Sequence, residues 1–452
     1  MDNITSLTAK INEAIGNNAY YYVANFIDHA QGLEKWITNF QGISLWNSPY
    51  LNYLKDKGVP VFCFVDRVEQ QPEVKSAAQI LDFMLDNRLI DFYPESFFQT
   101  FKISSRFSSL VEKIGGKLLN SSDDLNRLFE SKVSQAELFD KFGISFPKTM
   151  IVKLKDLMYE QVTQLLGDTF VVQFNRGHTG NGTIFVKTKE QYFELQRKFP
   201  HRILRISEFL TSPTYTINAC ATKYGIYLSG LCRQISGIPE LASDEGGTVG
   251  NNYAHGLTNI QIWSLMDEIK KLGKALDEHE YIGLFGLDFM FVNDRAVILE
   301  INARQTMSVP FNSLLQEMNS QVPIMLIHIA EFLGIEYDID LQSYNMDNVA
   351  QQEAAQLILR NKSNKNILIN AEIKSGEYSI EQGTLVFRNP GLFIDRLGKS
   401  NILLILRASG TLIGPGEEMA RIQVKKNLYK DINSPDYQYV NILTNIEKSI
   451  TG

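Results

Sequence analysis

The chain alternates between two hydrophobic periods. In roughly its first 125 residues, short apolar runs of strand length fall at 20–27 and 59–65, and stretches of helical spacing fall at 32–40 and 74–85. Strand and helix in alternation predict a parallel α/β layer. A helical pattern then covers 123–143, with Ser121 or Ser122 placed to cap it and Gly143 to stop it. An extended stretch at 144–152, interrupted by Pro147, leads into helical spacing at 155–166. Strands are expected at 169–174 and 183–187, joined by a loop from Asn175 to Gly182 that carries three glycines. Beyond them the pattern predicts strands at 202–210 and 215–231, a long helix at 260–279, a hairpin at 284–292 and 296–301, and a helical stretch at 310–333. A polar stretch follows near 342–348. Short apolar runs at 366–373, 384–387, 402–406 and 420–424 then predict a small β-rich region.

The hairpin at 284–301 is the most informative segment. Asp288 stands in an almost wholly apolar strand, where an isolated carboxylate would cost several kcal/mol unless paired or metal-bound. On the second strand, side-chain alternation puts Glu300, Asn302 and Arg304 on one face and Val297, Leu299, Ile301 and Ala303 on the other, expected to be core. A regular two-residue turn at Asn293-Asp294 would pair Asp288 with Leu299 and turn it into that core. An odd loop or a bulge is therefore expected, pairing Asp288 with Glu300. Two carboxylates and an amide oxygen form a hard-oxygen site suited to Mg²⁺, which takes one or two carboxylates plus substrate phosphates. An ion pair of Asp288 or Glu300 with Arg304 is the structural alternative. The Gly177, Gly180 and Gly182 loop has amides that can approach an anion, but no Gly-Lys-Ser/Thr closes it and it is not a P-loop. No GxGxxG follows the first strand. His29, just after that strand, is placed to line a crevice or simply to sit in a loop.

Composition narrows the classes. With 44 basic and 51 acidic residues the formal charge is −7, which argues against a nucleic-acid or anionic-membrane binder. The longest apolar stretch, 322–335, has 14 residues and includes His328 and Glu331, short of the roughly 20 needed to span a bilayer. No secretory signal is visible at the N-terminus. Cys63, Cys220 and Cys232 form no CxxC pair and read as reduced core thiols, so a cytoplasmic protein is expected. Length alone suggests about three domains.

In order along the chain, these features resemble the ATP-grasp superfamily of carboxylate–amine (or thiol) ligases. Asp288 followed by Glu300-Ile-Asn-Ala-Arg304 is similar to that family's acid, then Glu-x-Asn-x-Arg, pattern. The resemblance implies a mixed α/β and α+β protein: a pre-ATP-grasp α/β domain at 1–125, an ATP-grasp domain at 126–345 with subdomains of about 126–203 and 204–345, and a β-rich domain at 346–452. It implies ATP and Mg²⁺ as cofactors, with Mn²⁺ an alternative ion, and Asp288, Glu300 and Asn302 as metal ligands. Lys132, ahead of Gly143-Ile-Ser-Phe-Pro147, resembles the first nucleotide lysine. Gly177, His178, Gly180 and Gly182 resemble the flexible loop over the phosphates, and Ser207-Glu208-Phe209-Leu210 resembles the adenine-facing hinge. Two positions depart from the family: Gln173 stands where a strand lysine is usual, and Thr214 where many members have a ribose-binding Glu. Arg176 or His178 is the candidate for restoring the missing charge.

The resemblance further implies that a substrate carboxylate is phosphorylated by Mg·ATP and that an amine attacks the acyl phosphate. Arg304 would face the carboxylate. Arg233, beside the Gly246–Asn252 segment, would clamp an amino-acid or small-peptide substrate, and His255 is a candidate base. The expected partners are small-molecule carboxylate and amine substrates, with a homodimer left open and neither nucleic acid nor membrane. The alternatives are a biotin-carboxylase-like carboxylation and a nucleotide-binding regulatory protein with impaired catalysis.

Overall fold

The computed structural model describes residues 3–66, 76–90, 92–178, 181–244, 246–370, 372–429 and 435–451. The first sheet has five parallel strands in the spatial order Val61–Cys63, Phe40–Ser44, Tyr20–Ala24, Phe97–Thr100, Lys117–Leu118. The expected parallel α/β layer is present. The stretch expected to be helical at 32–40 is a helix only at Leu33–Trp36 and then becomes the strand Phe40–Ser44, whose side chains are largely buried. The strand order reverses between Tyr20–Ala24 and Phe97–Thr100, and ligands bind outside the carboxyl ends of strands at such a switch point. Phe101 and Lys102, just past Thr100, line the main cavity of the molecule.

The helical pattern at 123–143 resolves into two helices, Asp123–Glu130 and Lys132–Phe142. Ser122 caps the first and Gly143, at φ 64°, ends the second. Ser131 adopts extended backbone between them and its hydroxyl caps the second helix, so the chain turns there and Lys132 becomes a first-turn residue. A four-stranded antiparallel sheet follows, in the order Thr149–Lys153, Ile203–Glu208, Phe170–His178, Asn181–Val186. Its core face, with Phe170, Val172, Val186, Leu204 and Ile206, packs against helices Tyr159–Leu166 and Lys189–Lys198. This is the small lobe.

The large lobe is built on a ten-stranded sheet. The expected single strand at 215–231 is a hairpin, Tyr215–Thr222 and Gly225–Ser236, turning at Lys223-Tyr224. The helical stretch at 310–333 is likewise two helices, Val309–Met318 and Ile324–Phe332, because Ser320 takes a left-handed φ of 58° and Pro323 starts the second. The polar stretch near 342–348 is a helix, Leu341–Val349, which buries Tyr344, Asn345, Asn348 and Val349. The sheet crosses the expected border near 345 without a break. Thr248–Asn252 pairs with Ala355–Arg360, which continues through Glu418–Val424 to the C-terminal strands. At that seam Gly250 lies so close to the next strand that a Cβ on it would sit 2.2 Å from the Gln356 carbonyl oxygen. Helix Tyr437–Ile450 packs on this β-rich end. Among the described residues no helix is long and apolar enough to cross a membrane.

Candidate active site

The site begins with the hairpin Gly283–Val292 and Arg295–Asn302. Asn293 and Asp294 form a two-residue turn with φ of 48° and 62°, the left-handed pair that suits the twist of flanking strands. Pairs run regularly from Val292 with Arg295 to Phe289 with Ile298, and the register then shifts so that Asp288 faces Glu300. The expected shared rung is therefore produced by a bulge at Leu299. The bulge also corrects the expected face assignment. Ala296 and Ile298 enter the core before it, and Ile301 and Ala303 after it, whereas Leu299 lines the cavity.

Around this rung the cation is Lys132 rather than Arg304. The ammonium group of Lys132, itself buried, pairs directly with Glu300. Asp288 accepts from the Thr216 hydroxyl and, at 2.8 Å, from Gln234 Nε2. Asn302 Nδ2 donates to both carboxylates, at 3.2 Å each, while its amide oxygen accepts from Arg304. Burial, with the Glu300 charge second, holds the Asp288 carboxyl well above the usual range. Burial also acts on Glu300, but Lys132 outweighs it and keeps that carboxyl below its ordinary value. The pair thus has one carboxylate with a counter-charge and one still short of it. Among the described residues no cluster of three or more His, Cys, Asp or Glu forms. A metal here would depend on two carboxylates, the Asn302 amide and phosphate oxygens, a donor set that fits Mg²⁺ and not zinc.

Arg304 lines the same cavity but is held from the other side. Its Nε lies 2.9 Å from Glu130 Oε1, and its guanidinium sits 5.5 Å from the centre of the Phe101 ring. The second oxygen of Glu130 binds Lys102 Nζ at 2.9 Å. One acid from the end of helix Asp123–Glu130 therefore fixes two cations that face the cavity, one of them from the first sheet. Phe101, Lys102 and Glu130 were not legible in the sequence, because only the folding of the first sheet against the large lobe brings them to Arg304. His29, half-buried, stacks on Phe101 at 4.1 Å between ring centres and is not among the residues that line the cavity.

Gln173, Glu208, Phe209, Leu210 and Thr214 line the same cavity. Gln173 Nε2 donates to the Thr183 hydroxyl at 3.3 Å, and Glu208 Oε1 accepts from the Lys148 amide at 2.8 Å. Gln173 pairs across the sheet with Arg205, a cavity-lining cation that periodicity alone does not single out. Asn175 ties the loop to the Lys132 helix, its oxygen accepting from Ser131 Oγ at 2.7 Å and from the Val133 amide at 3.2 Å. Gly177 and His178 end the strand Phe170–His178, and Gly182, at φ 109°, is the second residue of the return strand Asn181–Val186. Gly180 lies outside the described residues, as do the side chains of Arg176 and His178.

The cavity of about 920 Å³ continues to the β-rich end of the large sheet. Arg233 lines it with its guanidinium 4.2 Å from the Tyr429 ring centre, and Gly246, Gly247, Thr248 and Asn251 lie alongside. Gln356, Ile358 and Arg360 line the far side. His255 is elsewhere: its ring is held between the Val349 carbonyl and the Leu257 amide, and burial lowers it to about 4. It is a structural histidine and not the base.

A cavity lined from both a small antiparallel lobe and a larger sheet, with paired carboxylates in its wall, defines a two-lobed fold. Residues 129–308 match the family model of the ATP-grasp domain. Solved structures resemble it over nearly its whole length at low identity. Carboxyaminoimidazole ribonucleotide synthase from Aspergillus clavatus, complexed with ATP, covers 96% of this chain and 99% of its own at 12% identity and TM-score 0.58. The biotin carboxylase domain of Hydrogenobacter thermophilus 2-oxoglutarate carboxylase, with MgADP and bicarbonate, covers 91% and 86% at 13% identity and TM-score 0.59. Phosphoribosylamine–glycine ligase from Thermotoga maritima covers 96% and 97% at 12% identity and TM-score 0.58.

Proposed function

We propose that the protein is an ATP-dependent, ADP-forming ligase that activates a carboxylate as an acyl phosphate and joins it to an amine, with an amino acid or small peptide among its substrates. The observation that carries this reading is that one cavity of about 920 Å³ is lined both by Asp288 and Glu300 and by Arg233, Gln356 and Arg360. In the proposed reaction a substrate carboxylate oxygen attacks the γ-phosphorus, ADP leaves, and the amine nitrogen then attacks the carbonyl carbon and expels phosphate. Asp288, Glu300 and Asn302 would hold Mg²⁺, which when bound neutralises phosphate charge during transfer. Lys132 balances Glu300 at the phosphate end. Arg304, steadied by Glu130, faces the carboxylate and the developing oxyanion, with Lys102 as a second cation beside it. The hinge Ser207–Leu210 receives the adenine, and Arg233 with the Gly246–Asn252 segment holds the second substrate. On this reading the borders near 125 and 345 separate three contributions to one site.

Carboxylation is a second reading, favoured by the likeness to a biotin carboxylase domain solved with bicarbonate. An ATP-to-ADP assay over a panel of amino acids, small carboxylates and bicarbonate, with mass spectrometry of the products, separates the two. Amino-acid-dependent ADP formation with a new amide is expected. Dependence on bicarbonate alone would favour carboxylation, and no nucleotide turnover under any condition would defeat both.

A further inference from the structure

One buried cation in the cleft has no acid to meet it. Arg205 lies on the strand Ile203–Glu208 between Leu204 and Ile206, which point into the small-lobe core, so its own side chain takes the opposite, cavity-facing side. It is only 1% exposed. Nη1 donates to the Leu299 carbonyl at 3.1 Å, and the buried Nε has no hydrogen-bond partner among the described residues. No ion pair to Arg205 forms among the described residues. Glu300, next to Leu299, favours its charged form, but that carboxylate already pairs with Lys132. Burial lowers the guanidinium to about 10, which leaves it charged at neutral pH.

A buried charge without a counter-charge is strongly unfavourable, and one that lines a cavity can gain its partner from a ligand. The register identifies the location. Gln173 and Arg205 are directly paired, so both side chains emerge on the same face, and both line the cavity that also holds Asp288 and Glu300. We infer that Arg205 is the small-lobe contact for the phosphate groups of the nucleotide, supplying from the neighbouring strand the positive charge that Gln173 lacks. This rests on the nucleotide reading of the cleft. The bond to Leu299 gives Arg205 a second task, since it braces the bulge that sets Asp288 against Glu300.

The test compares equilibrium binding of ADP and of adenosine to the full chain in Mg²⁺-free buffer by calorimetry. Arg205→Gln should weaken ADP at least about tenfold while adenosine stays within about twofold. Adding Gln173→Lys to that variant should recover most of the ADP affinity, because the charge returns at the paired position on the neighbouring strand. Equal weakening of both ligands, or unchanged ADP binding, would overturn the assignment. Should Arg205→Gln fail to fold, Gln173→Glu serves instead: it gives Arg205 an acid partner and should lower ADP but not adenosine affinity, and no change in their ratio would reject the idea. A wild-type chain that binds neither ligand would overturn this inference together with the proposed function, whereas intact ADP binding in the Arg205 variant overturns the inference alone.

Discussion

At the scale of single residues, the site depends on how few acids serve how many cations. Glu130 answers both Arg304 and Lys102, and Glu300 answers Lys132. Because Glu130 lies behind Arg304, it acts by position. Glu130→Gln should leave the fold intact yet lower kcat/KM about 10²-fold, through a guanidinium free to leave its productive orientation. Steady-state kinetics beside a thermal melt check this, and unchanged kinetics would remove Glu130 from the site. The sequence made the Asp288, Glu300, Asn302 and Arg304 set legible because three of them recur at period two and Asp288 stands alone in the apolar strand before them. Lys132 stood out only through its distance from the Gly143-Ile-Ser-Phe-Pro147 element. Arg205, Glu130 and Lys102 were not legible, since their meaning comes from pairing and packing between segments far apart in the chain.

At the scale of elements, long periodic segments read well and breaks within them did not. The helix at 260–279 and the hairpin at 284–301 lie within a residue or two of Asn259–Glu278 and Gly283–Asn302. Ser131, Lys223-Tyr224 and Ser320 each interrupt what looked like one element, because a cap, a tight turn or a left-handed residue leaves the hydrophobic period almost unaltered. The C-terminal strands show how elements from opposite ends of the chain are joined. Glu418 is buried and bonds Arg421 at 2.6 Å, while Arg407 bridges toward Glu418 and Asp28 at 3.8 Å each. Burial alone would raise the Glu418 carboxyl, but Arg421 and then Arg407 outweigh it and bring it to about 2. A depressed carboxyl stabilises the fold above its unfolded value near 4.5, and that contribution is lost as pH falls toward 2. The difference corresponds to about 3 kcal/mol. Urea midpoints should therefore fall between pH 7 and pH 3 by more in the wild type than in Glu418→Gln. Identical pH profiles would contradict the network.

For the whole molecule, the notable feature is continuity. One sheet runs from the bulged hairpin to the C-terminal strands, and a single cavity lies along it with Phe101 and Lys102 of the first sheet at its wall. Composition predicted an acidic chain and length about three domains, yet the sheet pairing of Gly250 with Leu357 and Asn251 with Gln356 joins the last segment to the same sheet as the second. Side chains from all three segments line that cavity. The central claim is that a carboxylate becomes an acyl phosphate in that chamber. The most direct measurement is turnover with a substrate labelled with ¹⁸O in its carboxylate, followed by mass analysis of the phosphate released. ADP should form together with phosphate that carries one ¹⁸O atom per amide formed; unlabelled phosphate, or release of AMP and pyrophosphate, would rule out the acyl phosphate.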